Sequence, residues 1–112
     1  MSHNEEYIMP GIVEVTTWSC EFSEDEISRL KKGHSATSME DKWCGFYHDN
    51  KLAICRSWTG ICIYLIEFNF DTNIHTLTIN RDKKQHLNPK IERDLELVGR
   101  ILKRWMDNNG DI

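Results

Sequence analysis

Strand-like runs occupy residues 42–48, 51–57, 60–70 and 74–80, with apolar and polar residues alternating most clearly over 74–80. A period of two is what a strand with one buried face requires. The breaks between runs carry turn chemistry. Asp49-Asn50 is a two-residue hairpin signal, and Asp71-Thr72-Asn73 is a second turn. Four short strands joined this closely predict an antiparallel meander. In the last run His75, Leu77 and Ile79 share one face, while Thr76, Thr78 and Asn80 share the other.

The flanks add a strand and two helices. Residues 11–18 read as a short strand with Val13 and Val15 on one face. Ser23 followed by Glu26 is a capping box, and Glu24 and Asp25 suit the positive end of a helix dipole. Ile27 and Leu30 face inward from that helix, and Gly33 stops it. Asn88-Pro89 opens a second helix, with Asn as N-cap and Pro at the first helical position. Ile91, Leu95, Val98, Leu102 and Trp105 form its apolar stripe, widened by Ile101 and Met106, and Asn108-Asn109-Gly110 ends it. Segregated strands and helices give an α+β fold. The expected architecture is one domain over residues 1–112, a four-stranded antiparallel sheet with helices packed on one face. The other face is left to solvent or a ligand.

Composition narrows the function classes. With 112 residues and 39% hydrophobic content, one packed core is feasible. Fourteen basic residues against 18 acidic give a net charge of −4. That argues against a duplex nucleic-acid binder, which relies on basic charge, but leaves room for a small anion held by local arginines. The longest apolar run is strand length, so no membrane span is expected. The polar, acidic start Met1-Ser2-His3-Asn4-Glu5-Glu6 does not read as a signal peptide, and a cytoplasmic location is expected. Cys20, Cys44, Cys55 and Cys62 are then expected as thiols. Their spacing, and that of the histidines, lacks the close pairs of a structural zinc site, so neither metal nor cofactor is expected.

Two clusters are the candidate sites. Arg56-Ser57-Trp58-Thr59-Gly60 sits at a turn between strand-like runs. A turn that only reverses the chain favours Gly, Asn, Asp or Pro. Here Trp58 suits stacking on a ring, Arg56 suits a phosphate or carboxylate, and Ser57 and Thr59 offer hydroxyls. The same residues also fit a turn whose Trp folds back over the sheet edge. Asn80-Arg81-Asp82 ends the fourth run of the meander. It fits a ribose or phosphate site, and equally an Asx turn with a surface ion pair. A meander places Gly60 and Asn80 at the same end, so the two clusters are candidates for one pocket.

The segments Met39-Glu40-Asp41-Lys42-Trp43, Arg56-Ser57-Trp58-Thr59-Gly60-Ile61-Cys62-Ile63-Tyr64 and Asn80-Arg81-Asp82 together resemble a small bacterial and phage-borne domain of largely uncharacterised function. That domain occurs alone and resembles segments appended to ADP-ribosylglycohydrolases. The resemblance covers residues 39–82. It implies an association with ADP-ribose or NAD-derived ligands, without transferring a catalytic acid. One departure is that the pattern has His before the Arg, where this chain has Cys55.

Three functions follow as expectations. The first is a binding module for a nucleotide or an ADP-ribose/NAD-like ligand, anchored by Arg56, Trp58 and Arg81. The second is a protein-interaction module, such as a phage-encoded inhibitor of a host protein. The third is an enzyme on a nucleotide-linked substrate, with Asp82, Glu67 or His75 as acid or base.

Overall fold

A computed structural model describes residues 12–35, 42–82 and 90–109. The elements are β1 (Val13–Ser19), α1 (Glu24–Leu30), β2 (Trp43–His48), β3 (Lys51–Arg56), β4 (Cys62–Glu67), β5 (Ile74–Asn80) and α2 (Ile91–Asn109). The fold is α+β as expected, but the sheet has five strands rather than four, in the order β1-β5-β4-β3-β2. β2 to β5 form the meander. β1 adds antiparallel to the outer side of β5, from Val13 opposite Asn80 to Ser19 opposite Ile74. Its partner lies about sixty residues away in sequence, and periodicity carries no information about that choice.

Local chemistry explains the turns. Asp49 and Asn50 both have positive φ, 56° and 63°, the backbone a two-residue hairpin needs. Asn69 organises the next turn: its side-chain oxygen accepts from the Asp71 and Thr72 amides. The capping box forms, with Ser23 Oγ accepting from the Glu26 amide and Glu26 Oε1 from the Ser23 amide. The expected cap at Asn88-Pro89 lies outside the described residues, as does Gly110; α2 continues to Asn109.

Both helices lie on one face of the sheet. Leu30, Val98, Ile101, Leu102 and Trp105 pack there on Leu52, Ile54, Tyr64, Ile66, Leu77 and Ile79. β1 and β2 are opposite edges, so the connection between them crosses the whole sheet and carries α1 over this inner face. One irregularity divides the faces. Ile54 pairs with Tyr64, but Cys55 pairs with Cys62, leaving Ile63 as an extra residue in β4. Such a bulge resets the alternation: Ile63 and Tyr64 join the inner core, while Cys62 packs with Ala53 and Cys55 on the other side.

Gly45 makes room for the largest core side chain. A Cβ at Gly45 would collide with the six-membered ring of Trp105. His34, in a connector where sequence marked no role, exchanges two backbone hydrogen bonds with Gly45 and stacks on Trp105 with ring centroids 5.0 Å apart. We therefore expect Gly45→Ala to destabilise by about 1–3 kcal/mol, the usual cost of overpacking a core. Denaturant unfolding checks this. A change below about 0.5 kcal/mol would mean Trp105 relocates freely.

Candidate functional site

The two sequence clusters come to the same end of the sheet, but they do different things. In the second cluster every residue is tied into the fold. Asn80 is fully buried on the outer face; its Nδ2 donates to the Cys62 carbonyl at 3.0 Å and its Oδ1 accepts from the Asp82 amide at 2.9 Å. This is the Asx turn. Arg81 points inward. Its Nε donates to Glu14 Oε1 at 2.8 Å, and its Nη2 lies 2.8 Å from both Glu14 Oε1 and Asp94 Oδ2. The Nη2 contacts are close ionic approaches rather than aligned hydrogen bonds.

Asp94 is the residue that sequence reasoning missed. It is fully buried, and Tyr64 Oη donates to its Oδ1 at 2.7 Å. A signal was present, because Asp94 falls three after Ile91 and four before Val98, inside the apolar stripe. A charge there is costly unless paired. Burial alone would weaken the Arg81 charge, but Glu14 and Asp94 outweigh it and hold the guanidinium protonated. Burial, then the hydrogen bond to Asp94, pushes the Tyr64 phenol well above its ordinary value. Glu14, Tyr64, Arg81 and Asp94 thus join β1, β4, the end of β5 and α2.

The first cluster is open. Arg56 is exposed, with its guanidinium 4.9 Å from the centre of the Trp43 ring, a cation–π contact across the β2–β3 pair. Trp58 is 64% exposed on the turn that follows. The turn itself is closed by backbone: the Gly60 amide donates to the Arg56 carbonyl, and Gly60 has φ 75°. Thr59 Oγ1 accepts from the Ile61 amide, and the Ser57 amide donates to the Lys42 carbonyl.

Beside Arg56, Trp43 faces α2 across a groove of about 520 Å³, lined also by Leu97, Ile101, Arg100, Lys103, Arg104 and Asp107. The two flanking ion pairs are loose, 3.8 Å for Arg100–Glu96 and 3.6 Å for Lys103–Asp107. A net-negative chain therefore gathers four cations around one half-buried indole. Trp43 and Lys103-Arg104 lie about sixty residues apart in sequence; only packing places them on one groove.

The weak acid–base candidates find other places. His75 is fully buried. Its Nδ1 accepts from the Asn69 amide at 3.1 Å, so Nε2 carries the proton and donates to the Cys20 carbonyl at 2.8 Å. Trp18, Phe22, Phe68 and Phe70 surround the ring. Glu67 is exposed on the outer face, opposite Lys51. Among the described residues, no three His, Cys, Asp or Glu side chains converge to hold a metal ion, and no helix is long and apolar enough to cross a membrane.

Removing one partner of a buried ion pair strands the other. Asp94→Ala should cost about 3–5 kcal/mol, and Tyr64→Phe about 1–2 kcal/mol through the lost bond to a carboxylate. Tyr64 also sets a pH dependence. Its folded pKa is raised, so its contribution is complete below the unfolded value of about 10 and is lost as pH rises above it. Stability should therefore fall above about pH 10, less steeply in Tyr64→Phe. Equal slopes in the two proteins would remove Tyr64 from this account.

Comparison with protein-family models, curated proteins and solved structures finds no match.

Proposed function

We propose that the protein is a small binding module for an anionic, ring-bearing ligand of the nucleotide class, held in the groove between Trp43 and α2. The observation that carries this reading is the Arg56 guanidinium over the Trp43 ring, beside Arg100, Lys103 and Arg104. Stacked rings with arginine-held anions are the usual means of nucleotide recognition. A positive groove on an acidic protein also concentrates anions locally. Arg81 leaves the ligand-binding set because Glu14 and Asp94 occupy it; Arg104 and Arg100 take its place. Trp58, two residues beyond Arg56, offers a second exposed ring. ADP-ribose or NAD is the specific ligand type that the resemblance over residues 39–82 implies.

Calorimetric titration with ADP, ADP-ribose and NAD tests this. We expect Arg56→Ala and Arg104→Ala each to weaken binding about 10- to 100-fold, the range for a lost hydrogen bond to a charged group, and to flatten its salt dependence. Trp58→Ala should lose about 1–3 kcal/mol if the base stacks there. None of these changes should lower the melting temperature. Failure of all three ligands to bind would sink the reading.

A second reading rests on the outer face, which neither helix covers. Phe46, Ala53, Leu65, Thr78 and Val15 are successive register partners there. Phe46 is 39% and Val15 58% exposed. Ala53 between them is buried and Leu65 and Thr78 are half-buried; the exposed apolar side chains at the two ends suit a protein-interaction surface, and this reading gains if nucleotides fail to bind.

A further inference from the structure

The two edges of the sheet are finished differently. At β2, His34 takes the outward backbone groups of Gly45, donating its amide at 2.9 Å and accepting the Gly45 amide at 2.8 Å. At β1 no further strand lies outside among the described residues. Two bonds at its ends show which residues face that open side. The Arg81 amide donates to the Ile12 carbonyl, and the Cys20 amide donates to the Asn73 carbonyl. In an antiparallel ladder, residues that exchange bonds with the neighbouring strand alternate with residues that do not. Glu14, Thr16 and Trp18 therefore bond to β5, in step with Ile12 and Cys20. Val13, Val15, Thr17 and Ser19 turn their amides and carbonyls sideways to the open edge, and all four residues are exposed.

An open row of this kind pairs with another strand unless Lys, Pro, a bulge or a covering segment blocks it. β1 has seven residues, VEVTTWS, without Lys, Pro or Gly. Its register with β5 runs unbroken from Val13 to Ser19. Two valines and two threonines suit pairing. The one charge, Glu14, is paired with Arg81.

The strand is also complementary to itself. When Thr16 is set antiparallel against Thr16 of a second copy, Val13 lies opposite Ser19 and Val15 opposite Thr17. Those four residues carry the outward groups, so each pair exchanges two bonds and every outward amide and carbonyl of both strands is satisfied. A register shifted by two leaves Val13 or Ser19 unmatched within the strand, and a shift by one sets the two outer faces on opposite sides. In the Thr16 register no like charges meet, because Glu14 lies opposite Trp18. Val15 and Val15 of the second copy become diagonal neighbours, about 7–8 Å apart, and shield each other from water.

We propose that the β1 edge is a homodimer interface, in which two copies join about a two-fold axis at Thr16 into one continuous antiparallel sheet. The axis is perpendicular to the sheet, so the helices of both copies lie on one side and both outer faces on the other. Such self-complementary contacts are the commonest way that identical chains assemble. Trp43 and its groove belong to the β2 edge, at the far side of the sheet, so the dimer stands or falls apart from the ligand reading.

Light scattering on the full chain over a series of concentrations tests this. The mass should rise from 13.2 kDa toward twice that value. Val15→Lys sets two ammonium groups together at the two-fold, and Thr17→Pro removes an outward amide. Each variant should stay monomeric at concentrations where the unsubstituted chain is paired, with circular dichroism confirming that it is folded. Amide hydrogen exchange needs no substitution. Val13, Val15, Thr17 and Ser19 should gain protection as concentration rises, while Glu14, Thr16 and Trp18 are protected throughout. A dimer that survives both substitutions, or one whose four outward amides still exchange freely, would overturn the proposal. A monomer at every concentration would overturn it too, and leave the edge to an extended segment of another protein.

Discussion

A single buried carboxylate ties the fold together. Asp94 lies on the apolar stripe of α2 with no exposure to water. It is tolerable there only because Tyr64 from β4 and Arg81 from the end of β5 meet it, and Glu14 from β1 meets Arg81 in turn. An apolar stripe packs against a sheet in several registers at similar cost. A buried charge accepts only the register that pairs it, since an unpaired one is expelled or neutralised. The same contact fixes where β1 sits, because Glu14 must reach Arg81 from the strand beside β5.

Side-chain parity decides everything else about the site. Arg56 and Arg81 both belong to the helix side of the sheet, yet only one is open. Arg81 lies under α2 with 15% of its side chain exposed, whereas Arg56, at the end of β3, is exposed and lies over Trp43, its register partner. On the outer face no helix intervenes; Phe46 and Val15 are exposed there, while Ala53, Cys55, Cys62 and Asn80 are buried. The bulge at Ile63 makes this division possible. Without it Cys62 and Tyr64 would share a face, and either the phenol would lose Asp94 or the thiol would lose Cys55.

Much of the fold was legible in the chain. Alternation, the Asp49-Asn50 hairpin, the Ser23/Glu26 box and the α2 stripe are local patterns, each enforced within a few residues by backbone sterics or by hydrogen bonds between near neighbours. Ile74–Asn80 coincides with the expected strand. The first run of the chain read as a strand too, but its place in the sheet did not. The Asn80-Arg81-Asp82 cluster was legible as a turn with an ion pair, and its alternative as a ligand site was not separable without knowing what Arg81 faced.

Sequence by itself determined the strands and helices, the inward faces of β5 and α2, the reversals between them and the acidic balance of the whole chain, because these depend on neighbours and on totals. Tertiary structure alone decided that β1 completes the sheet, that Asp94 and Glu14 pair with Arg81, and that Trp43 meets Arg56 and the basic face of α2. It also decided that Cys62 packs with Ala53 and Cys55. Each of these contacts joins residues brought together only by strand register and helix placement, and local pattern energies do not encode them.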